Sequence, residues 1–181
     1  MDLYDEDALI KSAMDKCTPD IIESALKTAK MMPVNRIEIF AMRSSASVIS
    51  PAIFDEFVYP YLKQIVEAFY QAGYLAVIHA DGNWLPMLEH FTNLPKNSVH
   101  FEFDGETDMR KAYEVIGGWH SMRGDVPATM LSFSEPDEVS EYCERLITDI
   151  GMKGGFMLSS GCEVPTKAKD ENVRRVIQSV R

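Results

Sequence analysis

Apolar and polar positions along this chain change period repeatedly, and the changes divide it into alternating elements. Glu6–Met32 carries helical spacing, with Thr18-Pro19 placed like an N-cap followed by a first-turn proline, which predicts a break there. Arg36–Phe40 (RIEIF) alternates with period two and predicts a strand. A helix follows: Ser50 caps it, Pro51 opens it, and Phe54, Phe57, Val58, Tyr61, Leu62, Ile65 and Phe69 form one apolar stripe. Pro60 should bend that helix, and Gly73 is placed to end it in a left-handed conformation. Strands are then predicted at Tyr74–His79, Ser98–Phe103, His120–Arg123 and Gly155–Ser159. Helices are predicted at Trp84–Leu94, Thr107–Ile116, Pro136–Ile150 and Lys169–Val180.

Strands alternating with helices imply βαβ units and a parallel sheet, so the fold class is α/β. Five strands can be counted, whereas an eight-stranded (β/α) barrel takes roughly 250 residues. Periodicity alone leaves two readings open, an open α/β sheet or part of a barrel. Without linker, repeat or low-complexity segment, residues 1–181 read as a single domain.

Composition narrows the function classes. The chain is 46% hydrophobic and 25% charged, with a net charge of −10. That balance argues against binding the phosphate backbone of nucleic acid or an anionic membrane surface. The apolar runs fall far short of the roughly 20 residues that a spanning helix needs, and the first residues are acidic where a signal peptide is basic. The expected location is the cytoplasm. Cys17, Cys143 and Cys162 are too few, and odd in number, to form a disulfide framework.

In parallel α/β folds the chemistry sits at the carboxyl ends of the strands. After the second strand comes His79-Ala80-Asp81-Gly82-Asn83; near the end of the third is Glu102, then Asp104; after the last comes Cys162. Three strand ends therefore each offer a residue type that binds zinc. His79 and Asp81, two apart, point the same way on an extended chain. A mixed nitrogen, oxygen and sulfur donor set suits a catalytic rather than a structural zinc. The plainer alternatives stay open at this point. The histidine could be a hydrogen-bonded loop residue, Asp-Gly a turn, Glu102 a partner of Arg43 or Arg123, and Cys162 a small filler. Arg43 and Ser44 follow the first strand and could meet a polar substrate, as could Asn83 and Arg123. His120 is a candidate general acid–base residue.

At these same residues the chain resembles the uroporphyrinogen decarboxylase superfamily. Ser50-Pro51-x-x-Phe54-x-x-Phe57-x-x-Pro60-Tyr61 is similar to that family's SP-x-x-F-x-E-F-x-x-PY signature. IHADGN (Ile78–Asn83), GDVP (Gly124–Pro127), EPDEV (Glu135–Val139), GGFMLSSGCEVP (Gly154–Pro165) and ENVRRVI (Glu171–Ile177) follow in the family's order. The resemblance implies the C-terminal five or so β/α units of a (β/α)8 TIM barrel. Such a set would leave two open sheet edges and require an N-terminal half or a second copy as partner.

Within the superfamily the resemblance is greatest to the zinc-dependent, corrinoid-linked methyltransferases. These bind zinc through a His-x-Cys pair and a later cysteine. By resemblance His79, Asp81, Glu102 and Cys162 hold the metal, with His79, Glu102 and Cys162 at the catalytic centre; Arg43, Ser44, Asn83, His120 and Arg123, from their places around the strand ends, are expected toward substrate. Asp81 departs from the pattern, standing where the branch has a thiolate, and implies a harder, more Lewis-acidic centre. The implied activity moves a methyl group between a small methylated substrate and a corrinoid (cobalamin) on a partner protein. The alternatives are uroporphyrinogen decarboxylation in haem biosynthesis, disfavoured by Cys162 where decarboxylases carry histidine, and a non-catalytic half-barrel subunit.

Overall fold

The computed structural model describes residues 2–180. Five strands, β1 (Arg36–Phe40), β2 (Leu75–Ala80), β3 (Val99–Phe103), β4 (Ser121–Val126) and β5 (Phe156–Ser160), form one sheet in sequential order. Every neighbouring pair is parallel, with His79 opposite both Phe40 and Glu102, Glu102 opposite Arg123, and Arg123 opposite Met157. Consecutive parallel strands joined by helical crossovers are the repeating unit of a (β/α) barrel.

The strand sequences explain which face is buried. Ile37, Ile39, Ala76, Ile78, Phe101 and Met122 pack against the crossover helices, where Trp84, Met87, Leu88 and Phe91 are fully buried. Fully burying one such side chain contributes about 1.5–3 kcal/mol, so the helix side holds the sheet together. The alternate residues face the other way. Glu38, Val77, His100, Arg123 and Met157, with Ile21 from the long helix before β1, line a groove of about 1360 Å³. Phe40 and Met157, apolar residues within strands, are 70% and 60% exposed. Among the described residues β1 and β5 each pair on one side only.

Local chemistry accounts for the crossovers and for several departures from the sequence expectation. The first helices are α1 (Asp2–Asp5) and α2 (Asp7–Lys30), and α2 continues through Pro19 without the expected break. It lies along the helix that follows β1, and Tyr61 there donates its hydroxyl proton to the Asp15 carboxylate of α2 at 3.1 Å. Packing here outweighs the hydrogen bond that proline removes.

The helix after β1 starts as expected. The Ser50 hydroxyl accepts the Ile53 amide proton at 3.3 Å, capping α3 (Pro51–Ile53). The Pro60 irregularity is absorbed by a π-helical turn, Phe54–Val58, just ahead of α4 (Tyr59–Gln71), which leaves Pro60 in a first turn. Gly73 is left-handed (φ 83°), as its position predicts. The segment expected as a helix at Trp84–Leu94 is instead 3₁₀, Leu85–Asn93.

The helix expected from Thr107 starts two residues later, as α5 (Met109–Ile116), with Asp108 as its cap. β4 runs on to Val126, three residues past the expected end, because Gly124 and Asp125 stay in register with β5. The short α6 (Ala128–Phe133) has no counterpart in the sequence reading. A capping box at Glu135 and Glu138 starts α7 (Pro136–Asp149), and α8 (Asp170–Gln178) is the last helix. Among the described residues no helix is long and apolar enough to cross a membrane.

Candidate metal centre

The period-two alternation of β2 puts His79 on the groove face, one residue before the strand ends. Asp81 follows the strand, and Cys162 lies two residues past the end of β5. Their ligand atoms converge. His79 Nε2 stands 3.2 Å from Asp81 Oδ1 and 3.7 Å from Cys162 Sγ, and one donor atom from each residue lies within 4.8 Å of the other two. Among the described residues Asp81 Oδ1 is buried without a hydrogen-bond partner, an arrangement that is costly unless something else takes its charge.

Glu102 takes a different place from the one expected. It lies on the other side of the imidazole, with Oε2 3.0 Å from His79 Nδ1, too poorly aligned to count as a hydrogen bond. Its second oxygen receives the Arg123 guanidinium at 2.5 Å. The resemblance grouped four ligands; the geometry divides them into two sets that share His79, one with Asp81 and Cys162 and one with Glu38 and Glu102, and Arg123 holds Glu102 on its side of the histidine. Glu38 of β1 also approaches this side, within 4.8 Å of a His79 nitrogen and a Glu102 oxygen. Sequence reasoning passed over Glu38. The signal available was the alternation of RIEIF, which sets Arg36, Glu38 and Phe40 on the face opposite Ile37 and Ile39.

The charges in this cluster are unbalanced. Burial disfavours the His79 imidazolium, but contact with Glu102 and the charges of Asp81 and Glu38 outweigh it, and the pKa is raised. Burial also raises the Asp81 pKa, against the partial opposition of His79. The Cys162 thiol is pushed up by burial and by its acidic neighbours Asp81, Glu163 and Glu102. Only Glu102 moves down: burial works against its charge, but Arg123 and His79 prevail. Three acids and a thiol around one imidazole, with one guanidinium, form a site that a cation would complete.

The remaining candidates separate. Arg43 is exposed and forms no ion pair among the described residues, and Ser44 sits in a turn where its amide donates to Ala41 O at 2.9 Å. Asn83 is on the same rim, its side-chain oxygen accepting the Leu85 amide proton at 3.1 Å. His120 is misplaced by the sequence reading. It precedes β4, at the strand's amino end, and is buried on the helix side with Nε2 2.9 Å from Phe91 O. A general acid–base role at the His79 centre is therefore ruled out by position. His100, on the same strand as Glu102, meets Ser121 Oγ at 2.8 Å. Trp84 packs edge-on against Phe54 in the core.

Comparison with known proteins identifies the family and the fold. The model of the uroporphyrinogen decarboxylase (URO-D) family matches residues 1–181. The chain belongs to the uroporphyrinogen decarboxylase family. It is 20% identical to a methylcobamide:CoM methyltransferase, MtbA, of Methanosarcina acetivorans over 99% of this chain and 51% of that protein. It is 22% identical to a uroporphyrinogen decarboxylase of Thermus thermophilus over 99% of this chain and 50% of that protein. It is 27% identical to a chloroplastic uroporphyrinogen decarboxylase of Zea mays over 94% of this chain and 42% of that protein. Among solved structures, a methyltransferase from Methanosarcina mazei superposes with a TM-score of 0.76 at 20% identity, covering 97% of this chain and 50% of that one. The chain thus spans about half the length of the relatives it matches and forms a partial family barrel, corresponding to its C-terminal portion.

Proposed function

We propose that this chain carries the metal centre of a zinc-dependent methyltransferase, which moves a methyl group between a small methylated substrate and the corrinoid of a partner protein. The observation that carries the proposal is the convergence of His79 Nε2, Asp81 Oδ1 and Cys162 Sγ at the carboxyl rim of the sheet. A thiolate with imidazole suits zinc better than magnesium or calcium, and three protein ligands leave the open position a catalytic zinc requires. When bound, zinc would supply Lewis acidity to the atom that carries or receives the methyl group. With Asp81 where the methyltransferase branch has a thiolate, an oxygen substrate such as a methoxy group fits best.

The other residues act on His79. Glu102 stands at Nδ1 and leaves Nε2 as the ligand nitrogen, a role carboxylates commonly play behind metal-bound histidine. Arg123 keeps Glu102 ionised and in place. Phe40, with its ring centroid 5.8 Å from that of His79, walls the approach from β1. Arg43, Ser44 and Asn83 line the same rim and are the proposed substrate contacts. The open edges of β1 and β5 would be covered by further β/α units, from an N-terminal half or a second copy. The location proposed for the assembly is the cytoplasm.

Metal analysis of the purified chain tests the proposal. Near-stoichiometric zinc in the wild type, lost in Cys162→Ser, is expected; zinc in neither would overturn it. A second reading, uroporphyrinogen decarboxylation in porphyrin biosynthesis, is favoured by two decarboxylases among the relatives, one of them at 27% identity. It predicts turnover of uroporphyrinogen without metal.

A further inference from the structure

The cation site is built from two arms far apart in the chain, the Asp81 turn and the Cys162 loop, and one residue outside the ligand set touches both. The Asp81 turn is tied down at nearly every polar backbone atom. Trp84 Nε1 donates to Asp81 O at 3.0 Å, and Thr107 Oγ1 donates to Gly82 O at 2.8 Å while accepting the Trp84 amide proton at 2.9 Å. Asn83 N donates to Ser47 Oγ at 2.9 Å, and Ala46 N donates to Asn83 O at 2.8 Å. Gly82, next to Asp81, donates its amide proton to Asp104 Oδ2 at 2.9 Å. Among these tethers only that one ends on a charged group, which makes it the stronger kind of hydrogen bond. Gly82 is left-handed (φ 85°), and a Cβ there would stand 2.4 Å from Ser45 Oγ, so the turn has no room to shift toward the β1 loop.

The Cys162 arm leans on the same residue. Gly161 lies so close to Asp104 that a Cβ on it would be 2.6 Å from the Asp104 carbonyl carbon and oxygen. Its amide donates to Val126 O at 3.0 Å, which pins the arm on its other side. Asp104 Oδ1 accepts the Glu106 amide proton at 3.0 Å, so both carboxylate oxygens are committed to backbone donors.

We propose that Asp104 is a positioning residue for the cation site. Its carboxylate sets the Asp81 arm through Gly82, its main chain sets the Cys162 arm through Gly161, and it does not itself ligate. The inference rests on the metal-site reading above and extends it by assigning the spacing of the two arms to one residue of the β3 loop.

The test uses the full 181-residue chain as wild type, Asp104→Ala, Asp104→Asn and Gly161→Ala. Zinc affinity is measured by competition with a chromophoric chelator. The thiolate-to-cobalt absorption is recorded after cobalt(II) substitution, and melting is followed on metal-free protein. Asp104→Ala is expected to weaken zinc binding roughly 10- to 100-fold and to diminish the thiolate–cobalt band. Asp104→Asn, which keeps an oxygen for Gly82, recovers most of both. Gly161→Ala, which displaces the cysteine arm, diminishes the band. Wild-type affinity and spectrum in Asp104→Ala would overturn the inference and leave the metal centre standing, whatever the change in melting. A wild type that binds neither metal would overturn both. Should Asp104→Ala fail to fold, wild-type affinity and spectrum in Gly161→Ala would overturn it equally.

Discussion

His79 of β2 and His120, just ahead of β4, are both buried histidines, and their surroundings make them opposites. His120 sits on the helix side against Phe91 and Phe101, with a backbone carbonyl as its polar partner. Burial lowers its pKa and keeps it neutral. His79 sits on the groove side among Asp81, Glu102 and Glu38, and its pKa is raised in spite of burial. Burial alone does not mark a histidine as a candidate for function; uncompensated charge around it does.

The largest expected effect is the sharpest test of that contrast. His79→Ala should reduce zinc affinity by more than about 100-fold, whereas His120→Ala should leave zinc stoichiometry unchanged and lower unfolding free energy by roughly 2–4 kcal/mol. Metal analysis and urea titration separate the two. Zinc loss in His120→Ala would break the comparison.

The two faces of the sheet extend the contrast to packing. Phe101→Ala empties the helix side and should cost about 3–5 kcal/mol. Phe40→Ala, on the groove side and 70% exposed, should change stability by no more than about 0.5 kcal/mol. Denaturant midpoints at constant slope would measure both, and equal losses would mean that the groove is as closely packed as the core.

Two buried acids give the finest version. Glu102 has Arg123 beside it and its pKa is lowered. Asp125, whose carboxylate accepts the Tyr142 hydroxyl proton at 2.8 Å, has its pKa raised by burial from 3.8 to about 6. Because the folded-state pKa is the higher one, Asp125 contributes stability that is fully present below pH 3.8 and lost as pH rises through about 6. Between pH 4 and pH 7 the wild type should lose about 2 kcal/mol relative to Asp125→Asn. Parallel stability curves for the two proteins would show that the Asp125 site is not held dry.

Part of this molecule was legible before folding. The period-two alternation of RIEIF marked β1, because a pleated chain puts alternate residues on opposite faces, and short runs between helical segments marked β2, β3 and β5. Ser50-Pro51 and Gly73 marked the boundaries of their helix through hydrogen-bond and left-handed-backbone requirements that are local. Pro19 and the Trp84–Leu94 segment misled because the outcome there depended on what the segment packs against. Glu38 went unread because a single acid in a short strand carries no local mark of the histidine it will face.

What the sequence determined by itself is what depends on neighbours in the chain: the alternation of elements, hence a parallel α/β sheet, and the family motifs that mark His79, Asp81, Glu102 and Cys162. Only tertiary structure decided that three of these four share one point, that Glu102 stands behind the histidine, and that Asp104 ties the two arms together. Those relations are set by strand register and by close approach of separate loops, and neither is encoded in any local stretch of residues.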